Sequence, residues 1–400
     1  MSRINILYIF HVSSIGGGSF CLLNMVKKLD KELYNPLILL KEDGPLCIEL
    51  IKHGASIFFE KSISTVPYNR SLFERTSILS IFSVLTSLGK IRYWIKKTDA
   101  SIVHINTMMM YPYIFPAYKL RKKIVIHVRE HWPKNEHRIQ FKIAQSIIER
   151  YSDKIIAINE SSANMIRVPE KTQIIYDWID FENREEIIDF KKLFGENYKS
   201  LKIFLFLGGM QKIKGAIEVV QVFHEKISDE NARLLFVGCD VKTYGNKDTF
   251  KERIKAVLRF IKFPVFSDKI KAIAQKDNRI IFIPSTNQVM SIIEQSYCIL
   301  SFPTIPHAIL PIAEAIYLGK PVISADTPEA REYSNGGSSA LLFEINNIGD
   351  FEKKILYAFN NERKMNEMAQ KGTEAIKSTF DAFSNSKLLN NIYTELSNKF

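Results

Sequence analysis

The stretch YCILSFPTIPHAILPIAEAIYLGKPVISADTPEARE, residues 297–332, decides the fold. It opens with an apolar run of strand length, YCILSF, which Pro303 ends. Pro311 suits the first position of a helix, where its missing N–H costs nothing. Gly319 and Pro321 mark that helix's end, the glycine as a cap and the proline as a bar to continuation. VISA, 322–325, is the next strand, and a second helix starts after it. This order of strand, loop, helix and strand is the unit of a parallel α/β sheet. Such sheets bind ligands just past the carboxyl ends of their strands. Here that place is the loop Pro303–Leu310, with His307, Ala308, Ile309 and Leu310, and the helix start beyond it. Glu314 is expected in the first turn of that helix. A carboxylate there accepts hydrogen bonds from a vicinal diol such as a ribose, while exposed N–H groups face a phosphate. The same residue could do no more than complement the helix dipole, and local pattern leaves both readings open.

Upstream, KIFLFLGGMQKIKGAIEVVQVF (202–223) repeats the strand–turn–helix pattern. Gly208, Gly209, Lys212, Lys214 and Gly215 make its turn hospitable to phosphate. Near the N-terminus, INILYIF (4–10) leads through Gly16, Gly17 and Gly18 into a helical pattern. Glycines there let a backbone approach a ligand with no Cβ in the way, although a tight strand-to-helix turn would use glycine as well. This is neither the spaced glycine pattern of dinucleotide binding nor a Walker loop. Between these ends strands and helices alternate: NPLILL, a helix from about Pro45, ASIFFE, then SIVHIN (101–106), IVIHVRE (124–130) and DKIIAI (153–158). Two doubly wound halves are expected. The charged segment 181–200 carries no strong strand signal and marks the boundary. It separates a first domain, 1–185 with a terminal helix at about 381–400, from a second, 186–380.

Composition narrows the partners. The chain has 400 residues and a formal net charge of +12. Such a balance suggests a nucleotide, a phosphate-bearing lipid or an anionic membrane surface. No compact basic stripe with interleaved aromatics argues for nucleic acid, so no nucleic-acid partner is expected. Cys21, Cys47, Cys239 and Cys298 are too scattered for a zinc pair or a redox motif. Free thiols favour the reducing cytosol, and a cytoplasmic protein is expected. The first residues run straight into a strand, so no cleavable leader is expected. No apolar run approaches the ~18 residues of a spanning helix, so membrane contact is expected to be peripheral.

Two segments bear on that contact. Ser71–Lys97 reads as a long helix with Leu72, Ile78, Leu79, Phe82, Leu85 and Ile91. Its end mixes Arg92, Tyr93, Trp94, Lys96 and Lys97. That mixture fits a lipid headgroup layer, or a core-facing helix with a solvated end. Phe250–Phe263 reads as a basic amphipathic helix that leans on an anionic surface or is simply solvated. Met108 and Tyr111 lie in an apolar loop after SIVHIN, suited either to a lipid chain or to packing. Arg129, Glu130, His131 and Trp132 follow IVIHV at a strand's carboxyl end, where site residues gather and where a surface turn is the alternative.

Pro303-Thr304, Lys214-Gly215, Glu314-Ala315 and Gly319-Lys320-Pro321-Val322 resemble the nucleotide-binding half of family 4 glycosyltransferases, retaining enzymes of the GT-B fold. The resemblance runs in order along nearly the whole chain. Pro306 and Ile309 stand where the family has Glu and Gly, and the Pro306-His307 pair looks like a variant found within it. Gly209 stands at an Arg position, and Asp177-Trp178 replaces an Asn-Gly. The resemblance implies two Rossmann-like domains facing an interdomain cleft, with the last helix crossing back to the first. It implies a nucleotide-diphosphate sugar as co-substrate, a UDP-sugar foremost, with no cofactor and no metal. Gly16–Gly18, Gly208, Gly209, Lys212, Lys214, residues 307–310 and Glu314 would hold that donor. Lys214 would meet the diphosphate, with Lys212 or Arg129 as second charge. One of Arg129, Glu130 and His131 would face the sugar, so Lys214, Glu314, Arg129 and His131 are the catalytic candidates. Glu130, Trp132, Met108 and Tyr111 fall on the acceptor side. A lipid-linked saccharide or polysaccharide acceptor of surface polysaccharide synthesis is expected. The alternatives are a catalytically silent sugar-nucleotide-binding subunit and a sugar-nucleotide epimerase of the same fold.

Overall fold

The computed structural model describes residues 3–67, 71, 74–132, 138–180, 188–239, 266–286 and 288–398. The expected domain boundary at 185–186, the basic helix at 250–263 and Leu72 lie outside the described residues. The chain divides into two compact units, one formed by Met1–Asp180 with Phe380–Phe400 and the other by Phe181–Thr379.

Unit 1 is built on a parallel sheet of seven strands in the order β3-β2-β1-β4-β5-β6-β7. These are β1 (Ile4–Ile9), β2 (Tyr34–Leu40), β3 (Ser56–Phe59), β4 (Ile102–Ile105), β5 (Lys123–Val128), β6 (Lys154–Ala157) and β7 (Thr172–Ile174). Side chains alternate across the pleat, and both faces are buried. Leu7 and Ile9 enter one core, with Val84, Ile91 and Ile148 from the helices Arg75–Lys97 and Arg138–Tyr151. Ile6 and Tyr8 enter the other, with Leu22 and Leu50 from Gly17–Lys27 and Pro45–Lys52. That second core also takes Leu389, Ile392, Tyr393 and Leu396 of the last helix, Ala382–Ser397. The Tyr393 hydroxyl is fully buried there, 3.0 Å from the Tyr8 hydroxyl and 2.7 Å from His104 Nδ1.

Unit 2 holds a six-stranded parallel sheet in the order β10-β9-β8-β11-β12-β13. Its strands are β8 (Lys202–Phe206), β9 (Ala232–Val237), β10 (Ile280–Ile283), β11 (Cys298–Ser301), β12 (Val322–Ala325) and β13 (Leu341–Phe343). One apolar cluster joins Phe204, Phe236, Leu300 and Ile323 to Val219, Phe223, Phe351 and Ile355 of its helices. The chain reverses its direction of growth across the sheet between β8 and β11, and in unit 1 between β1 and β4. These two places are the topological switch points at which open α/β sheets bind ligands.

Two expectations are corrected. The helix after β11 runs Leu310–Tyr317 and begins one residue before Pro311. A proline is tolerated at any of the first four N–H positions, none of which has an intrahelical partner, so it does not mark the first residue. Glu314 therefore opens the second turn. Secondly, Arg75–Lys97 is long and apolar enough, by length and composition alone, to cross a membrane. Serines and threonines break its apolar run and hide that property from inspection. Its inner side, with Ser77, Val84, Ser87, Ile91 and Ile95, is buried in unit 1.

Candidate functional site

In unit 2 the turn after β8 and the loop after β11 meet at the switch point. Gly209 takes a left-handed backbone (φ 55°), and a Cβ there would lie 2.8 Å from the Gly238 carbonyl oxygen. The turn continues through Lys212–Lys214 to Gly215, also left-handed (φ 71°), where a Cβ would come within 2.3 Å of the Phe302 carbonyl oxygen. Only glycine allows this approach to the end of β11. The two segments are stitched together by Thr304, whose N–H and hydroxyl both donate to the Ile213 carbonyl at 3.0 and 3.3 Å. Asn346 Nδ2 donates to the Thr304 carbonyl at 3.2 Å from the far side.

Lys214 lies in the first of these segments, and Glu314 on the helix that follows the second. Lys214 is half-buried, and desolvation lowers its ammonium to about 8. Glu314 is half-buried too, and desolvation raises its carboxyl to about 7. Neither side chain has a hydrogen bond or ion pair among the described residues, with each other or with any neighbour. An unpaired charge held in a desolvated place is costly, and such groups concentrate where a ligand completes them. Because the macrodipole acts mainly on the first turn, the second-turn position of Glu314 also removes much of the dipole explanation. Lys212 is exposed, as are Gly16 and Gly17 in unit 1. In the loop, His307 Nδ1 lies 2.8 Å from the Ile305 carbonyl. Ala308 and Leu310 are half-buried, and Ile309 is buried. Gly208 is buried, and a Cβ on it would meet Lys214 Cβ at 2.9 Å.

The switch point of unit 1 is different. Gly16, Gly17 and Gly18 follow β1, and none has a left-handed backbone. A Cβ on Gly16 or Gly17 would meet nothing within 4 Å. Neither a left-handed backbone nor packing demands glycine at these two places. Arg129, at the end of β5, is taken up inside the unit. Its Nη1 donates to both Asp177 oxygens at 2.6 Å, and its Nε and Nη2 reach Asn106 Oδ1 at 3.4 and 3.3 Å. Glu130 is buried, accepting from the Thr107 hydroxyl and from the N–H of Met108 (3.1 Å) and Arg129 (3.2 Å). Burial raises its carboxyl above the usual range. These bonds tie the turn after β4 to the end of β5, a structural role. Met108 and Trp132 are buried in the core, Trp132 against Phe141, and Tyr111 packs on the same cluster. His131 Nδ1 lies 3.5 Å from the Ser161 hydroxyl. The structure thus joins the turn after β8 to the loop after β11 through Thr304 and Ile213, and turns Arg129, Glu130, Met108 and Trp132 inward.

His11 was not singled out from sequence. It lies just past β1, with Nδ1 buried and without a partner among the described residues. Burial, reinforced by the Lys41 charge, lowers its imidazole to about 4 and keeps it neutral. Its position directly after a strand's carboxyl end was the available signal.

Residues 188–375 match the family model described as Glycosyl transferases group 1. The match covers just under half of the chain, within unit 2. The matched residues include Lys214, Thr304 and Glu314. The N-acetyl-alpha-D-glucosaminyl L-malate synthase of Bacillus anthracis is 20% identical over 254 residues. That match spans 62% of this chain and 59% of the synthase's length. Among solved structures, Anabaena HepE in complex with UDP-glucose aligns with a TM-score of 0.73 at 16% identity, over 98% of this chain and all of that one. The sucrose-phosphate synthase of Thermosynechococcus elongatus aligns with a TM-score of 0.71 at 12% identity over the full length of both. The fold is GT-B, with unit 2 as its second Rossmann-like domain.

Proposed function

We propose that the chain transfers a sugar from a nucleotide-diphosphate sugar, a UDP-sugar foremost, to a lipid-linked saccharide or polysaccharide acceptor, with retention at the anomeric carbon. One observation carries the reading: a desolvated lysine and a desolvated carboxylate, each without a protein partner, at the switch point of the unit whose residues match the group 1 model. Lys214 would sit against the diphosphate, joined by backbone N–H groups of the turn after β8. Glu314 would accept hydrogen bonds from the ribose hydroxyls. In transfer, the bond from the anomeric carbon to the phosphate oxygen breaks. The acceptor hydroxyl attacks from the same face, and its proton passes to the departing phosphate. The Lys214 ammonium meets the charge that develops on that oxygen. The pairing of Arg129 with Asp177 weighs against it as the second cation and favours exposed Lys212. The bound UDP-glucose of the HepE structure supports the choice of uridine. The name of the Bacillus anthracis relative supports sugar transfer as the reaction. The match to a transferase model weighs against the epimerase reading.

The test is a thermal-shift panel of nucleoside diphosphates and their sugars. A ligand at a hundred times its dissociation constant adds ~2.7 kcal/mol. UDP and one UDP-sugar should raise the melting temperature, Glu314→Ala should abolish the rise, and Lys214→Ala should lose most turnover. No rise with any nucleotide, or near-normal turnover by Lys214→Ala, sinks the reading. Tight binding with no transfer to any acceptor would favour the silent subunit.

A further inference from the structure

The helix Arg75–Lys97 is apolar on two sides. Its buried side carries Val84, Ile91 and Ile95 with Ser77 and Ser87, and the Ser87 hydroxyl lies 3.0 Å from that of Tyr113. Its outer side carries large apolar residues as well. Ile78 is 53% exposed, Leu79 58%, Phe82 66% and Leu85 55%. These positions recur at helical spacing and form one stripe along the first half of the helix. A run of large apolar side chains turned to water on a soluble unit marks an interaction surface.

The charge of the surroundings says what kind. From Arg75 to Lys97 the helix contains Arg75, Lys90, Arg92, Lys96 and Lys97, and no Asp or Glu. The second helix on this face of the sheet, Arg138–Tyr151, contributes to the same core. It also turns apolar residues outward, Ile139 at 73% and Ile143 at 45% exposed, beside exposed Arg138 and Lys142. The opposite face of the sheet is covered by other helices, the last helix among them. Apolar residues flanked by cations on one face are the chemistry of an interfacial helix on anionic lipid.

We propose that this face of unit 1 docks on an anionic phospholipid surface, with Arg75–Lys97 lying flat in the headgroup layer. Ile78, Leu79, Phe82 and Leu85 enter the acyl boundary, and the lysines and arginines meet lipid phosphates. The helix does not span the bilayer, because its Val84, Ile91 and Ile95 side is committed to the core. Nor is the aromatic end the anchor: Trp94 is half-buried against Phe58 and donates to Glu60 at 3.2 Å. The proposal stands apart from the assignment of donor and reaction.

The experiment is flotation of the full chain with vesicles of phosphatidylcholine, alone or with about 30% phosphatidylglycerol. The protein should float with the anionic vesicles and not with the neutral ones. Leu79→Glu with Phe82→Glu should weaken flotation about tenfold or more. Because both side chains face water, the melting temperature should hold. Arg92→Glu with Lys96→Glu, which leaves the apolar stripe intact, should weaken it as well. Flotation insensitive to both pairs, equal flotation with neutral vesicles, or none at all would overturn the proposal. So would a dimer in light scattering that Leu79→Glu with Phe82→Glu dissociates, since the stripe would then serve a second copy of the chain.

Discussion

Arg129 and Asp177 form a half-buried ion pair in unit 1, Nη1 lying 2.6 Å from both carboxylate oxygens. Asn106 and His127 complete the guanidinium's surroundings, His127 Nδ1 at 3.4 Å from Nη2. The pair joins the end of β5 to the segment beyond β7, 48 residues away.

Removing one member leaves the other charged and partly desolvated, which costs about 3–5 kcal/mol in a fully buried pair and about 1–3 kcal/mol at this partial exposure. Arg129→Ala and Asp177→Ala should each lower stability by about that much in urea unfolding. Arg129→Met with Asp177→Leu should recover most of the loss. If Arg129→Ala left stability unchanged and abolished nucleotide binding, the arginine would belong to the donor site after all.

Glu314 links the site to stability through pH. Its folded value of about 7 lies above its ordinary value of 4.5. Folding therefore favours the protonated form, and ionisation costs stability progressively from pH 4.5 to 7 and in full above it. Glu314→Gln removes the cost. At pH 8 it should stabilise the ligand-free protein by about 1–3 kcal/mol, discounted for partial exposure, and at pH 4.5 by almost nothing. Equal melting-temperature changes at both pH values would show that the carboxylate is not strained.

Gly209 stands where the family pattern has an arginine, yet the replacement should not restore one. With φ at 55° and the Gly238 carbonyl 2.8 Å from the place of a Cβ, Gly209→Arg must move the turn. It should destabilise unit 2 by more than about 1 kcal/mol. Nucleotide affinity, read by calorimetry, should fall or stay flat. A tighter complex of unimpaired stability would refute this account.

Tyr393→Phe removes the hydroxyl that bridges Tyr8 and His104. His104 is buried, and burial with the Arg129 charge lowers it to about 3, so it stays neutral and must be satisfied by hydrogen bonding. The loss should cost about 1–3 kcal/mol. A change below about 0.5 kcal/mol would mean that the two partners find other bonds.

The architecture was legible because apolar strand runs and glycine or proline punctuation are local signals. Both sheets, and the glycine turns at their switch points, follow from them. Lys214 and Glu314 were named from the sequence for a similar reason, each following a strand by way of a turn or loop that leads into a helix. The role of Arg129 was not, because it depends on Asp177 across two intervening strands and on Asn106 from a third. Glu130 looked like a site carboxylate at a strand end, and only the positions of Thr107 and Met108 turn it inward. The outward stripe of Arg75–Lys97 could not be read either. Periodicity shows that a helix has an apolar side, and only the packing of Val84, Ile91 and Ile95 shows which side faces the core.

Tyr393 has one more consequence, for the order of events during synthesis. The first unit's core needs residues that the ribosome makes only after the 199 residues of Phe181–Thr379. Domains tend to fold as they emerge, so the second unit can close while the first still lacks a helix over Tyr8 and Leu22. During that interval the nascent chain exposes an apolar face of its largest sheet, which is where a chaperone would be needed. A frameshift or stop codon shortly before residue 382 would leave that face permanently open, even with unit 2 complete.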